Sequence, residues 1–284
     1  MTLRHRFARI DGLEVFYREA GTPSAPTLVL LHGFPTSSIA YRTLIEELAD
    51  EFHLIAPDYP GFGLSSAPAD FEYSFDRLAD VVDALLDSLG LTRYAIYVHD
   101  YGAPVGFRLA LRHPERITGI VTQNGNAYDE GLTPFWAPIR AYWADPSPAN
   151  GDALRGMLTS EGTHWQYTHG VPDTSLVDPA LEVHDQALLD RPGNQDIQMS
   201  LFLDYGTNPG LYASWQEYLR THQPPLLAAW GRNDEIFGPD GARAFARDLK
   251  DAQIHLLDTG HFPLTTHLEE SATLIRAFLR GLPE

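Results

Sequence analysis

A carboxylate stands where a short apolar strand breaks into a helix. Tyr94-Ala95-Ile96-Tyr97-Val98 reads as a buried strand, His99-Asp100-Tyr101-Gly102 as a tight turn, and Ala103 to Leu111 as the helix that follows. A reactive residue at such a break, with a small residue two places on, has the form of a nucleophile elbow, and Asp100 is then the nucleophile. The choice of atom decides the chemistry. A serine attacking a saturated carbon would leave an ether, which water does not readily undo. A carboxylate leaves an ester, which hydrolyses, so Asp100 points to displacement at sp³ carbon through an alkyl-enzyme intermediate. The plainer role for Asp100 is to cap the helix. The turn favours the nucleophile, and the helix N-terminus favours its ionised form.

Such a residue needs a frame. Leu13 to Arg18 alternates like a strand, and Thr27 to Leu31 and Phe52 to Ala56 are short apolar runs. Tyr41 to Ala49 has helical spacing, and Phe75 to Leu89 carries apolar residues at Leu78, Val81, Val82, Leu85 and Leu86, with Gly90 placed as a C-cap. Strands at Ile117 to Thr122, Pro225 to Trp230 and Ile254 to Leu257 alternate with helices at Gly241 to Leu249 and His267 to Leu279. That alternation implies right-handed crossovers and a mostly parallel sheet. It stops between Asn126 and about Leu219. There, helical segments at Phe135 to Trp143, Ala153 to Ser160, Pro179 to Leu189, Asp196 to Tyr205 and Leu211 to Leu219 read as a lid. The expected division is a core of residues 1–126 and 220–284 with a helical cap at 127–219.

With 284 residues the chain can build one large α/β domain with an insertion. Its net charge of −18 disfavours nucleic acid and anionic membranes as partners. Cysteine is absent, which excludes disulfides, thiolate catalysis and Cys-based metal sites. No apolar leader follows Met1 to Phe7 and no run approaches a membrane span, so cytoplasm is the default expectation. No His-Glu-x-x-His and no Gly-x-Gly-x-x-Gly fingerprint is present, so neither a metal nor a cofactor is expected. Oligomeric state is open, with a homodimer as the candidate assembly.

Taken in order, His32-Gly33-Phe34-Pro35, Asp58 to Ser65, the elbow at Asp100, Gly231-Arg232-Asn233-Asp234 and Gly260-His261-Phe262 resemble the α/β-hydrolase family, in its epoxide hydrolase and haloalkane dehalogenase branch. The likeness spans essentially the whole chain. It implies an α/β-hydrolase fold with a mostly parallel central sheet flanked by helices and an inserted helical cap. It also implies that His261 is the base that activates water and that Asp234 orients it. The plainer role for Asp234 is a turn residue, and Glu235 is its neighbour. Some relatives place the acid after the preceding strand, where Gln123 and Asn124 stand. The backbone amides of Phe34 and Tyr101 would form the oxyanion hole. Family likeness also suggests a cis bond before Pro35.

The electrophile divides the branch. Opening an epoxide leaves an alkoxide, and epoxide hydrolases resemble each other in using paired cap tyrosines to protonate it. Tyr205 is the first candidate here and Tyr142 the second, with Tyr167 in reserve. Haloalkane dehalogenases instead need N–H donors for the halide, typically Trp after the nucleophile and often Asn after His-Gly; this chain has Tyr101 and Phe34. Trp136, Trp143 or Trp165 could offer one indole from the cap. Fluoroacetate dehalogenases want Arg at position 101. The leading expectation is epoxide hydrolysis on a small apolar substrate with water as co-substrate. Haloalkane hydrolysis and a non-catalytic ligand receptor are the alternatives. A serine esterase ranks low, because Ser65 and Ser66 lie in a Gly-rich loop. Two positions depart from the epoxide hydrolase pattern, which commonly has Trp after the nucleophile and a glycine two residues before it that relieves crowding at the elbow: here they are Tyr101 and Val98.

Overall fold

Eight strands pair into one sheet in the computed structural model, which describes residues 2–283. They are β1 (Arg4–Ile10), β2 (Leu13–Ala20), β3 (Thr27–Leu31), β4 (His53–Pro57), β5 (Tyr94–His99), β6 (Ile117–Gln123), β7 (Leu226–Gly231) and β8 (Gln253–Leu257), in the spatial order 1-2-4-3-5-6-7-8. From β4 to β8 the pairing is parallel, and β2 is antiparallel to both its neighbours. The central strands β3, β5, β6 and β7 are buried nearly throughout, as strands covered on both faces must be.

Alternation along these strands splits the core in two. Leu28, Leu30, Ala95 and Tyr97 face helices α1 (Arg42–Leu48) and α12 (Leu268–Arg280). Val29, Leu31, Ile96 and Val98 face α2 (Phe75–Ser88) and α3 (Gly102–Arg112). Helix α2 buries the apolar stripe read from the sequence, and its N-cap Ser74 accepts from the Arg77 amide. The pair β1–β2 is a hairpin turning at Asp11-Gly12, both at positive φ. The sequence reading missed β1, whose residues are mostly exposed and carry no apolar run.

Between β6 and β7 the described chain holds no strand. It runs through α4 (Ala137–Ala144), α5 (Pro148–Asp152), α6 (Ser160–Thr168), α7 (Pro179–Leu189), α8 (Asn194–Asp204) and α9 (Tyr212–His222), with short 3₁₀ turns between them. One detail departs from expectation. Residues 153–160 form no α-helix, only a 3₁₀ turn, while 160–168 do form one. Helix α9 packs against the sheet-flanking layer, its Trp215 stacking on Phe107 of α3 at 5.2 Å. Helices α10 (Pro239–Asp248) and α11 (Pro263–Thr266) complete the chain. No helix among the described residues is long and apolar enough to cross a membrane.

Candidate active site

Asp100 follows the end of β5 with φ at +49°, a left-handed conformation that bulky residues avoid. The turn aims its side chain back over the sheet edge, at Gly33 after β3. A Cβ on Gly33 would lie 2.3 Å from that of Asp100, so only glycine admits this approach. The Phe34 amide then donates to Asp100 Oδ1 at 2.7 Å, and the Tyr101 amide also reaches the carboxylate. The bond before Pro35 is cis. Asp100 is not the N-cap of α3, which is Tyr101, a residue with no side-chain hydrogen bond to the helix. Val98, expected to crowd the elbow, is accommodated from the other side. A Cβ on Gly106 would lie 2.5 Å from Val98 Cγ1, so a glycine one turn into α3 supplies the space.

Three buried side chains meet at this edge. His261, in the loop after β8, places Nε2 3.8 Å from Asp100 Oδ2 and Nδ1 2.8 Å from Asp234 Oδ2. The first gap is too long for a hydrogen bond, and Nε2 has no partner among the described residues. Asp234 is held twice more, by the Ile236 amide on Oδ1 and by Asn124 Nδ2 on Oδ2, both at 2.7 Å. Asn124 thus occupies the alternative acid position after β6 but serves as a donor to the acid after β7. The sequence reading weighed it only as a missing carboxylate. Glu235 points away and pairs with His169 at 3.1 Å.

Burial pushes the Asp100 carboxyl up to about 6, against the pull of His261 and of the Phe34 and Tyr101 amides. Burial also works against a charged His261, but Asp234 and then Asp100 outweigh it, and its pKa ends above the ordinary histidine value. Over the carboxylate lies a cavity of about 30 Å³. Asp100, Phe34, Trp136, Gln166, Phe202 and Tyr205 are among its walls, and no cationic side chain lines it. A carboxylate with one oxygen held by the Phe34 amide and the other facing an imidazole that a second carboxylate holds has the parts to attack carbon and later release it.

A family model described as the alpha/beta hydrolase fold matches residues 26–268. The chain belongs to the α/β-hydrolase fold family. It is similar to the uncharacterized hydrolase YNR064C of Saccharomyces cerevisiae, with 48% identity over 268 residues, covering 93% of this chain and 92% of that one. It is also similar to haloalkane dehalogenase 2 of Mycobacterium bovis, with 41% identity over 110 residues, or 39% of this chain and 38% of that one. The solved structure of epoxide hydrolase VrEH1 from Vigna radiata superposes with a TM-score of 0.77 at 22% identity, over 98% of each chain, a likeness of fold. The protein is thus a hydrolase of this fold.

The hydrolase's cap treats its candidate residues unequally. Tyr205, at the end of α8, lines the cavity, and its buried hydroxyl lies beside that of Tyr212, to which Asn126 Nδ2 donates at 3.2 Å. Burial raises its pKa well above the ordinary phenol, so it stays protonated. Tyr142 is not on the cavity wall. It is half-buried and turned toward Gly151 of α5, because spacing along α4 does not reveal which face looks inward. Tyr167 donates to Asp185 at 2.6 Å and stacks on Phe262, away from the cavity. Two indoles are spent on backbone carbonyls: Trp136 donates to Ile236 O and Trp143 to Phe202 O, both at 2.7 Å. Trp165 stacks between Phe135 and His169. Gln166 is a wall residue the sequence reading missed, since a lone glutamine in an unrecognised helix gave no signal.

Proposed function

We propose that this hydrolase opens epoxides to vicinal diols. The observation that carries the proposal is the pairing, across one small cavity, of the Asp100 carboxylate with the protonated Tyr205 phenol, while the indoles of Trp136 and Trp143 are committed elsewhere. The indole on the cavity wall, Trp136, is bound to the Ile236 carbonyl and is not free for a halide, whereas an alkoxide finds a proton on Tyr205. The absence of a cation from the wall further disfavours a substrate bearing a carboxylate.

Asp100 Oδ2 attacks a ring carbon from behind. The carbon–oxygen bond breaks, its electron pair goes to the ring oxygen, and that oxygen takes the Tyr205 proton. The product is a hydroxyalkyl ester of Asp100 and a phenolate. His261, oriented by Asp234, then takes a proton from water, and the hydroxide adds to the acyl carbon. The Phe34 and Tyr101 amides hold the resulting oxyanion. Collapse expels the diol oxygen. The imidazolium proton and the new carboxyl proton pass to that oxygen and to the phenolate, so one epoxide and one water give one diol. Loss of the Asp100 charge on alkylation removes one influence that keeps His261 protonated, which suits it to act as a base at that moment.

The test is intact-protein mass after adding styrene oxide to His261→Gln, alongside diol formation by the unaltered enzyme. The expected result is an added mass equal to the epoxide, on Asp100, in the variant and diol in the wild type. Turnover in the variant with no adduct would end the two-step scheme. The haloalkane reading draws support from the 41% identical segment shared with a haloalkane dehalogenase. Bromide release from a bromoalkane faster than diol formation would favour it.

A further inference from the structure

Helix α6 pairs most of its polar side chains. Thr163 Oγ1 donates to Gln186 at 2.8 Å, His164 pairs with Glu182 at 2.8 Å, Tyr167 donates to Asp185 at 2.6 Å, and Thr168 donates to the His164 carbonyl at 2.8 Å. Gln166 lies among them, 4% exposed, and its amide makes no hydrogen bond among the described residues. It lines the cavity over Asp100 together with Tyr205. Its amide is not sealed among protein atoms but opens onto that cavity, where it has two N–H donors to offer. Most of the wall around it is apolar: Phe34, Ile139, Met157, Phe202 and Ile236. The group left for this amide to meet is one carried in by the substrate.

We infer that Gln166 is the second cap donor to the epoxide oxygen, filling with a carboxamide the place that Tyr142 does not reach; this rests on the epoxide reading of the Asp100 site. The chemistry of the two donors differs. A phenol can give its proton away, whereas a carboxamide donates a hydrogen bond and keeps its hydrogen. Tyr205 is then the sole acid, and Gln166 holds the ring oxygen during attack and steadies the alkoxide as it forms. The pair also sets specificity. An amide beside the leaving oxygen rewards substrates that bring an acceptor there and penalises those that leave it bare. Oxygen leaving groups therefore gain more from Gln166 than bulky, weakly accepting bromide does.

The experiment measures the rate of ester formation by quenched-flow mass spectrometry in the His261→Gln background, with styrene oxide and with 1-bromobutane. Gln166→Met and Gln166→Leu remove the amide at similar volume, so a folding defect in one leaves the other informative. Gln166→His restores an N–H donor. Loss of one preorganised donor should slow alkylation by the epoxide on the order of a hundredfold. The bromoalkane should be slowed less, and the histidine variant should recover part of the epoxide rate. A purely structural glutamine would slow both substrates alike and would not be rescued. Equal epoxide rates with and without the amide, in His261→Gln protein that does accumulate ester, would overturn the inference alone. Absence of any ester in the parent His261→Gln protein would remove the underlying reading and the inference with it.

Discussion

Burial does two things to the Asp100 carboxyl: it keeps competing water away, and it moves proton loss up to about 6 from the ordinary carboxylate range. In the proposed reaction only the ionised form attacks, so the sign is fixed. Ester formation should be full above about pH 7 and fall as pH drops through about 6, measured as the pre-steady-state burst of alkylation; an acid limb centred near 4 would mean that Asp100 is far better solvated than this site allows. The influence of His261 is part of that value, because the imidazole lowers the Asp100 pKa. In His261→Gln the limb should therefore move to higher pH. Asn124 shows a different logic. Its backbone is at φ +50°, and its side chain bridges the Gly231 amide and Asp234 Oδ2. A position that holds no carboxylate still serves the carboxylate next door.

At the scale of elements, the elbow is a negotiation between a strand and a helix over one side chain's volume. Gly106 in α3 yields to Val98 in β5. Gly106→Ala should therefore destabilise the fold by about 1–3 kcal/mol, the range of core overpacking. In a Val98→Ala background the same change should become neutral or stabilising, since alanine exceeds glycine in helix propensity by about 0.5–1 kcal/mol. Urea midpoints of the four proteins decide this, and additive effects would show that the contact is not what sets the cost. Such reciprocal spacing is invisible to a reading that looks for glycine only at the expected place. The order of strands and helices was legible because their apolar periods are strong. The strand β1 was not, although Asp11-Gly12 is a good hairpin signal, because its side chains face solvent. Helix α6 escaped because its buried face, Thr163, Gln166 and Tyr167, is polar or aromatic rather than aliphatic. Asp100, His261 and Asp234 could be found by motif order, and the structure brings them together. Which cap side chain meets them could not, since that depends on helix rotation in a segment without strong periodicity.

The proposed reaction needs Tyr205, from the helical segment between β6 and β7, in register with Asp100 at the end of β5. The fastening lies directly behind it. Arg108, buried within α3, ion-pairs with Asp76 of α2 and donates to the Pro104 carbonyl and to Asn208 Oδ1, three residues past Tyr205. Asp204, just before Tyr205, accepts from the Phe75 amide at 2.7 Å. The chain is thus pinned on both sides of Tyr205 to the two helices that flank the elbow. The Asp76 carboxylate is 72% exposed, so the ion pair itself contributes little. The buried bonds from Arg108 to Asn208 and Pro104 matter more, and Arg108→Met should cost about 1–3 kcal/mol of stability through them. Its larger effect should be on turnover, because Tyr205 would lose its fixed position over the cavity. A double-mutant cycle separates the two. If Arg108 acts through Tyr205, Arg108→Met lowers epoxide turnover strongly in the native enzyme but little further once Tyr205→Phe has removed the proton donor. Turnover losses that simply multiply would assign Arg108 to general stability and leave the alignment of cap and core to other contacts.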